Sequence, residues 1–165
     1  MAKAGTEQVI DALLETVRDN FGGAITTLGL GAVGDGYDIA DPGSGAFVFA
    51  LPAQDPEPDE VLYFYCDSED SEPWTTGSVT PIKDSLSVMV AISVRGKTGD
   101  PEEAYRKVLR FREAARYTLC ETPHLGLGPG DIVTRISTNY TRLPATPFHY
   151  WTFLQVGFER EETWT

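Results

Sequence analysis

Between residues 86 and 95 the chain alternates without a break. Leu86, Val88, Val90, Ile92 and Val94 fall on one side, and Ser87, Met89, Ala91, Ser93 and Arg95 on the other. A period of two belongs to a strand, and an aliphatic face this pure demands a sheet with one side set against a core. Shortly after, Asp100-Pro101 opens a helix, with Asp100 as N-cap, Pro101 at the first helical position and Glu103 placed for a capping box. Ala104, Val108, Phe111, Ala115 and Leu119 follow as an apolar stripe, widened by Tyr105 and Leu109. The aliphatic strand face predicts helical cover. The small, moderately polar face predicts a sheet side that is itself partly covered.

The same logic extends to both ends. Val9, Ile10, Leu13, Leu14, Val17 and Phe21 recur at helical spacing, with Thr6 as a cap and Gly22-Gly23 as the expected stop. Strands are expected at 46–51 and 61–66, then at 132–142 and 148–158, the last two as an antiparallel hairpin. Long loops are expected at about 29–45, 52–60 and 67–81, where Gly, Pro and acidic residues concentrate. The order α-β-β-β-α-β-β reads as α+β: a single domain over 1–165, with two helices packed on one face of a mostly antiparallel sheet. At 165 residues the chain can bury enough surface to need neither disulfide nor metal.

Charge and composition narrow the chemistry. With 13 Lys+Arg against 25 Asp+Glu the net charge is −12, which opposes gripping nucleic acid or docking on anionic lipid. No segment reads as a signal peptide or a membrane span, so a soluble protein made inside the cell is expected. Cys66 and Cys120 sit in apolar contexts and read as two buried thiols. Gly29-Leu-Gly-Ala-Val-Gly34 spells a dinucleotide loop, but turn formers follow it where a helix would have to start, so a flexible glycine loop is expected. His124 and His149 have no partner at ligand spacing, and Gly43-Ser44-Gly45 lacks the context of a nucleophile elbow. Neither catalytic, cofactor nor metal residues are assigned. Eight acids and no base lie between residues 55 and 72, which reads as a solvated loop able to face a polyanion or a basic partner.

Two sets of residues stand out as candidates for contact with another subunit. On the second helix Arg106 and Arg110 are expected to pair with Glu102, Glu103 or Glu113, whereas Arg112 and Arg116 flank the apolar stripe and can bridge to a second subunit. On the last strand Phe148, Tyr150, Leu154, Val156 and Phe158 take one face and His149, Trp151 and Phe153 the other. Aromatic residues on the side away from two helices call for a cover, either the chain's own long loops or a neighbouring copy. The candidate interface is therefore Trp151, Phe153, His149, Arg112 and Arg116.

Taken together, SLSVMVAISVRGKTGDPEEAYRKVLRFREAARYTL and HYWTFLQVGFEREE, in this order of elements, resemble the tail-terminator (tail-completion) proteins of long-tailed bacteriophages. The resemblance covers most of the chain by pattern, and the glycine- and proline-rich insertions at 29–45 and 52–60 are this chain's own. It implies a structural, non-enzymatic virion protein of the tail and neck, made in the host cytoplasm. Such proteins form a hexameric ring that caps the tail tube and joins it to the head–tail connector or neck, with DNA passing through the lumen. Implied partners are further copies of the chain, the tail tube protein and the neck protein, with no cofactor and no membrane. Two other readings compete: a small ligand-binding or enzymatic α+β domain, and another tail component such as a tube subunit or connector adaptor.

Overall fold

The computed structural model describes residues 5–73, 80–97, 99–122, 125, 132–146 and 148–164, with side chains described for 5–69, 85–97, 99–122, 125 and 148–158. Trp74, His124 and the glycines of 126–130 lie outside the described residues. The elements run α1 (Thr6–Leu28), β1 (Phe47–Phe49), β2 (Glu60–Pro73), β3 (Thr80–Arg95), α2 (Pro101–Glu121), β4 (Ile132–Thr146) and β5 (His149–Trp164). This is the expected order and an α+β fold. The strands form one five-stranded sheet in the order β1-β2-β3-β5-β4, parallel between β1 and β2 and antiparallel elsewhere.

Helix α1 differs from expectation at both ends. Gly5 is the N-cap, its N–H donating to Gln8 Oε1 at 2.9 Å, and Thr6 is already helical. Gly22-Gly23 do not stop the helix, because Ala24 and Ile25 continue the buried stripe for another turn and outweigh two glycines. Gly29 stops it instead, at φ 67°, with the N–H groups of Gly29 and Leu30 donating to Thr26 and Ile25 carbonyls. Within α1, Gly22 lets the following loop lie close: a Cβ there would stand 3.1 Å from Asp41 Oδ2.

Helix α2 starts where predicted, with the Asp100 carboxylate accepting from Glu103 N–H at 3.1 Å. Glu103 does not close a capping box. Its carboxylate accepts from Lys97 N–H and Lys107 Nζ, both at 3.0 Å, and these contacts hold its pKa below the usual value.

Both helices cover the aliphatic sheet face. Phe21 of α1 stacks on Phe111 of α2 at 5.6 Å between centroids and meets Phe47 of β1 edge-on at 5.5 Å. Around them lie Leu62, Phe64, Val88, Val90, Ile92, Leu154 and Val156, all buried. Each such side chain is worth about 1.5–3 kcal/mol relative to exposure, so this layer supplies most of the folding drive.

The largest departure is in the acidic segment. β2 runs on to Pro73 and β3 begins at Thr80, so much of the expected loop at 67–81 is an antiparallel ladder from Ser68↔Ser87 to Pro73↔Ile82, entered through a bulge after Cys66. Strand composition argued against this, because Asp, Glu and Ser are poor strand formers. Pairing with β3, itself held by β5 from Thr80↔Trp164 to Arg95↔His149, decides it. The cysteines also depart from expectation: Cys66 is half-buried and Cys120, near the end of α2, is exposed. Among the described residues no helix is long and apolar enough to cross a membrane.

Candidate functional site

The sheet face turned away from the helices is built on β3. Register places Tyr63 opposite Ala91 and Ala91 opposite Phe153, while Val61 and Trp151 flank Ser93. Ala91 and Ser93 are small, so the central strand forms a trough, and the rings of its neighbours lie down into it. Tyr63 and Trp151 stack at 6.1 Å, Trp151 and Phe153 at 6.2 Å, and His149 leans on Trp151 at 5.4 Å. Val61, Tyr63, Ala91 and Trp151 form a second, smaller apolar cluster, joined by Val48, Tyr65 and Phe153.

Packing of this kind changes the standing of the predicted residues. Trp151 is 8% exposed and His149 2%, so both are buried by the chain itself; Phe153 is half-buried. His149 Nε2 is 2.5 Å from Ser93 Oγ. Burial first, and then the neighbouring Arg95 cation, hold the imidazole pKa below its usual value, with Asp55 opposing. The proline-rich connection between β1 and β2 closes this end. Arg95 pairs with Asp55 and donates to the Pro56 carbonyl at 3.3 Å, its own N–H donates to Asp59 O at 2.7 Å, and Pro56 is buried.

Arg112 and Arg116 do not join this surface. Both are on α2, in the layer on the opposite side of the sheet. Arg112 Nε is buried with no hydrogen-bond partner, and both guanidinium groups stand 3.9 Å from Glu113. The structure therefore brings together His149, Trp151 and Phe153 and separates them from the two arginines. It adds Tyr63 and Tyr65, which sequence reading passed over. Their signal was the alternation Val61-Leu-Tyr-Phe-Tyr65, in which both tyrosines share a side.

Two further features bear on chemistry. Arg106 pairs with Glu102 as expected, at 2.6 Å. Arg110 instead leaves its own helix: it pairs with Asp35 and donates to the Tyr37 carbonyl at 2.5 Å. The hydrogen bond from Arg110 is the main reason the Asp35 carboxyl is lowered to about 2. Asp38 accepts from Val33 N–H at 2.8 Å and from Gly34 N–H at 3.3 Å, so the glycine loop is folded on itself and pinned to α2. It follows a helix end instead of preceding a helix start, which is the wrong polarity for cradling a pyrophosphate.

A cleft of about 240 Å³ lies between the ends of α1 and α2, lined by Asn20, Thr27, Tyr117 and Glu121 among others. It contains none of the predicted residues. Among the described residues no group of three or more His, Cys, Asp or Glu side chains is placed to hold a metal ion. No family model matches the chain, and a search of curated proteins finds no match.

Proposed function

We propose that this protein is a ring-forming structural component of the tail-terminator kind, which caps a tail tube, joins it to the neck and lets DNA pass. One observation carries the reading: a five-stranded sheet has both helices on one face, while its other face presents aromatic residues, with Phe153 and Tyr65 still half-open. A half-open aromatic surface beside buried Trp151 is the composition of an interface core. The occupant is a further copy of the chain, since a head-to-tail contact repeated around an axis closes a ring. A charge of −12 per subunit suits a lumen that repels phosphate and lets DNA slide.

The test is electron imaging and native mass spectrometry of the purified protein, alone and with tail tubes. Closed rings of about six copies are expected, on their own or seated on the tube end. Open filaments would make it a tube subunit, and single subunits that ignore the tube would end the reading. Phe153→Ser is the residue-level probe, with a melting curve as control. Trp151→Ser is unsuitable, because Trp151 is packed inside the chain and its loss would open a cavity.

A further inference from the structure

The two helices lie side by side over the sheet, α1 against β1 and β2 and α2 against β3 and β5. Each therefore has one flank toward the other helix and one toward an end of the molecule. Asn20, Ala24 and Thr27 of α1 and Tyr117, Thr118 and Glu121 of α2 line the cleft between them. At about 100° per residue, Glu7, Asp11 and Glu15 are turned away from that cleft on α1, and Tyr105, Arg112 and Arg116 are turned away from it on α2. All three acids are exposed, and none pairs with a base among the described residues. Arg18 shares their flank but is held by Asp19 at 3.0 Å. On α2, Arg106, Lys107 and Arg110 are held by Glu102, Glu103 and Asp35. Arg112 and Arg116 are not: Glu113, at 3.9 Å from each, is beyond hydrogen-bonding reach. Tyr105 on the same flank is 41% exposed.

We propose that these flanks meet between copies: the acidic flank of α1 docks against the arginine flank of α2 in a second copy of this chain. The proposal rests on the ring reading and adds a charged contact in the helix layer to the aromatic contact of the sheet. Position permits it, because the flanks lie at opposite ends of the molecule, where each copy in a ring has a different neighbour. Spacing permits it too. Asp11 and Glu15 are four residues apart, as are Arg112 and Arg116. Each couple thus spans about 6 Å along its helix, so two ion pairs form at once. The arginines have donors to offer: Arg112 Nε has no hydrogen-bond partner, and a guanidinium takes a carboxylate through two N–H groups together. Charge selects the pairing. A two-fold contact of α1 with α1 opposes acids to acids, and α2 with α2 opposes arginines. The mixed contact alone is complementary, and a mixed contact is head to tail.

The experiment uses full-length chain in two charge-reversed forms, followed by native mass spectrometry. One form carries Asp11→Arg with Glu15→Arg, so both of its flanks are basic. The other carries Arg112→Glu with Arg116→Glu, so both are acidic. Circular dichroism of each form verifies that it is folded. If the second form is not, because Arg112 is partly buried, Arg116→Glu alone at the exposed position takes its place. Each form alone is expected to lose the wild-type multimer and run as single subunits. Mixing the two should restore a multimer of the wild-type copy number containing equal numbers of each form, because only alternation satisfies every contact. If either form alone assembles as wild type does, the copies meet without these flanks; flank pairing falls and the ring reading stands. Failure of two folded forms to assemble on mixing also overturns flank pairing. A wild-type protein that is a single subunit at millimolar concentration overturns it as well, and the tube-capping images then decide the ring reading separately.

Discussion

Ser93 and His149 meet diagonally across β3 and β5, Oγ to Nε2 at 2.5 Å, both almost wholly out of solvent. The pair is polar, sits at the edge of the aromatic trough and faces the Arg95–Asp55 contact. A buried imidazole beside a guanidinium resists protonation, which ties the closure of this face to pH.

The sign follows from linkage. The folded-state pKa of His149 lies below the unfolded value of 6.5, so the unfolded chain binds the proton more readily. The stabilisation is complete above pH 6.5 and is lost as pH falls from there toward the folded-state pKa. Thermal midpoints measured between pH 8 and pH 5 should therefore drop on acidification. His149→Asn should flatten that part of the profile, even though it lowers stability at pH 8. An unchanged slope in the variant would mean that another group is responsible.

Arg110 ties the glycine loop to α2 through Asp35 and the Tyr37 carbonyl. Arg110→Gln should free the loop without unfolding the domain, since the helix–sheet core does not depend on it. Limited proteolysis should then cut within 29–45 much faster, with the far-ultraviolet spectrum unchanged. In the wild type the tether should survive mild acid. Asp35 has a lowered pKa, so its contribution is present above the unfolded value and disappears only as pH falls through about 2. Loop protection and His149 titration should thus separate cleanly along the pH axis.

Ala91 is fully buried at the bottom of the trough, opposite Tyr63 and Phe153. Ala91→Leu keeps the strand's alternation and raises its hydrophobicity, yet it should destabilise by about 1–3 kcal/mol, the cost of overpacking. Denaturant unfolding followed by Trp fluorescence measures this and reports whether Trp151 has become exposed. A neutral or stabilising result would show that the rings are not seated on Ala91.

Much of the fold was legible in short stretches of the chain. The period of two from Leu86 to Val94 and the Asp100-Pro101 start gave their elements because the signals are local and mutually consistent. The misreadings arose where a local signal was outvoted by packing. Gly22-Gly23 would end an isolated helix, but here the buried face of α1 carries on past them. Asp67 to Pro73 would be a loop in isolation, but β3 offers a paired edge and makes it a strand.

The candidate surface divides in the same way. Alternation along β5 placed His149, Trp151 and Phe153 on one face, because side-chain direction in a strand is fixed by parity alone. Whether those rings stand up into solvent or lie down was decided by residues distant in sequence: Ala91 and Ser93 leave the space and Tyr63 caps it. Likewise Arg110 chose Asp35, far along the chain, over the glutamates of its own helix. The sequence by itself determined periodicity, caps and charge, which depend on near neighbours. Only the tertiary structure decided burial and partner choice, because both depend on which surfaces meet when the sheet closes over its helices.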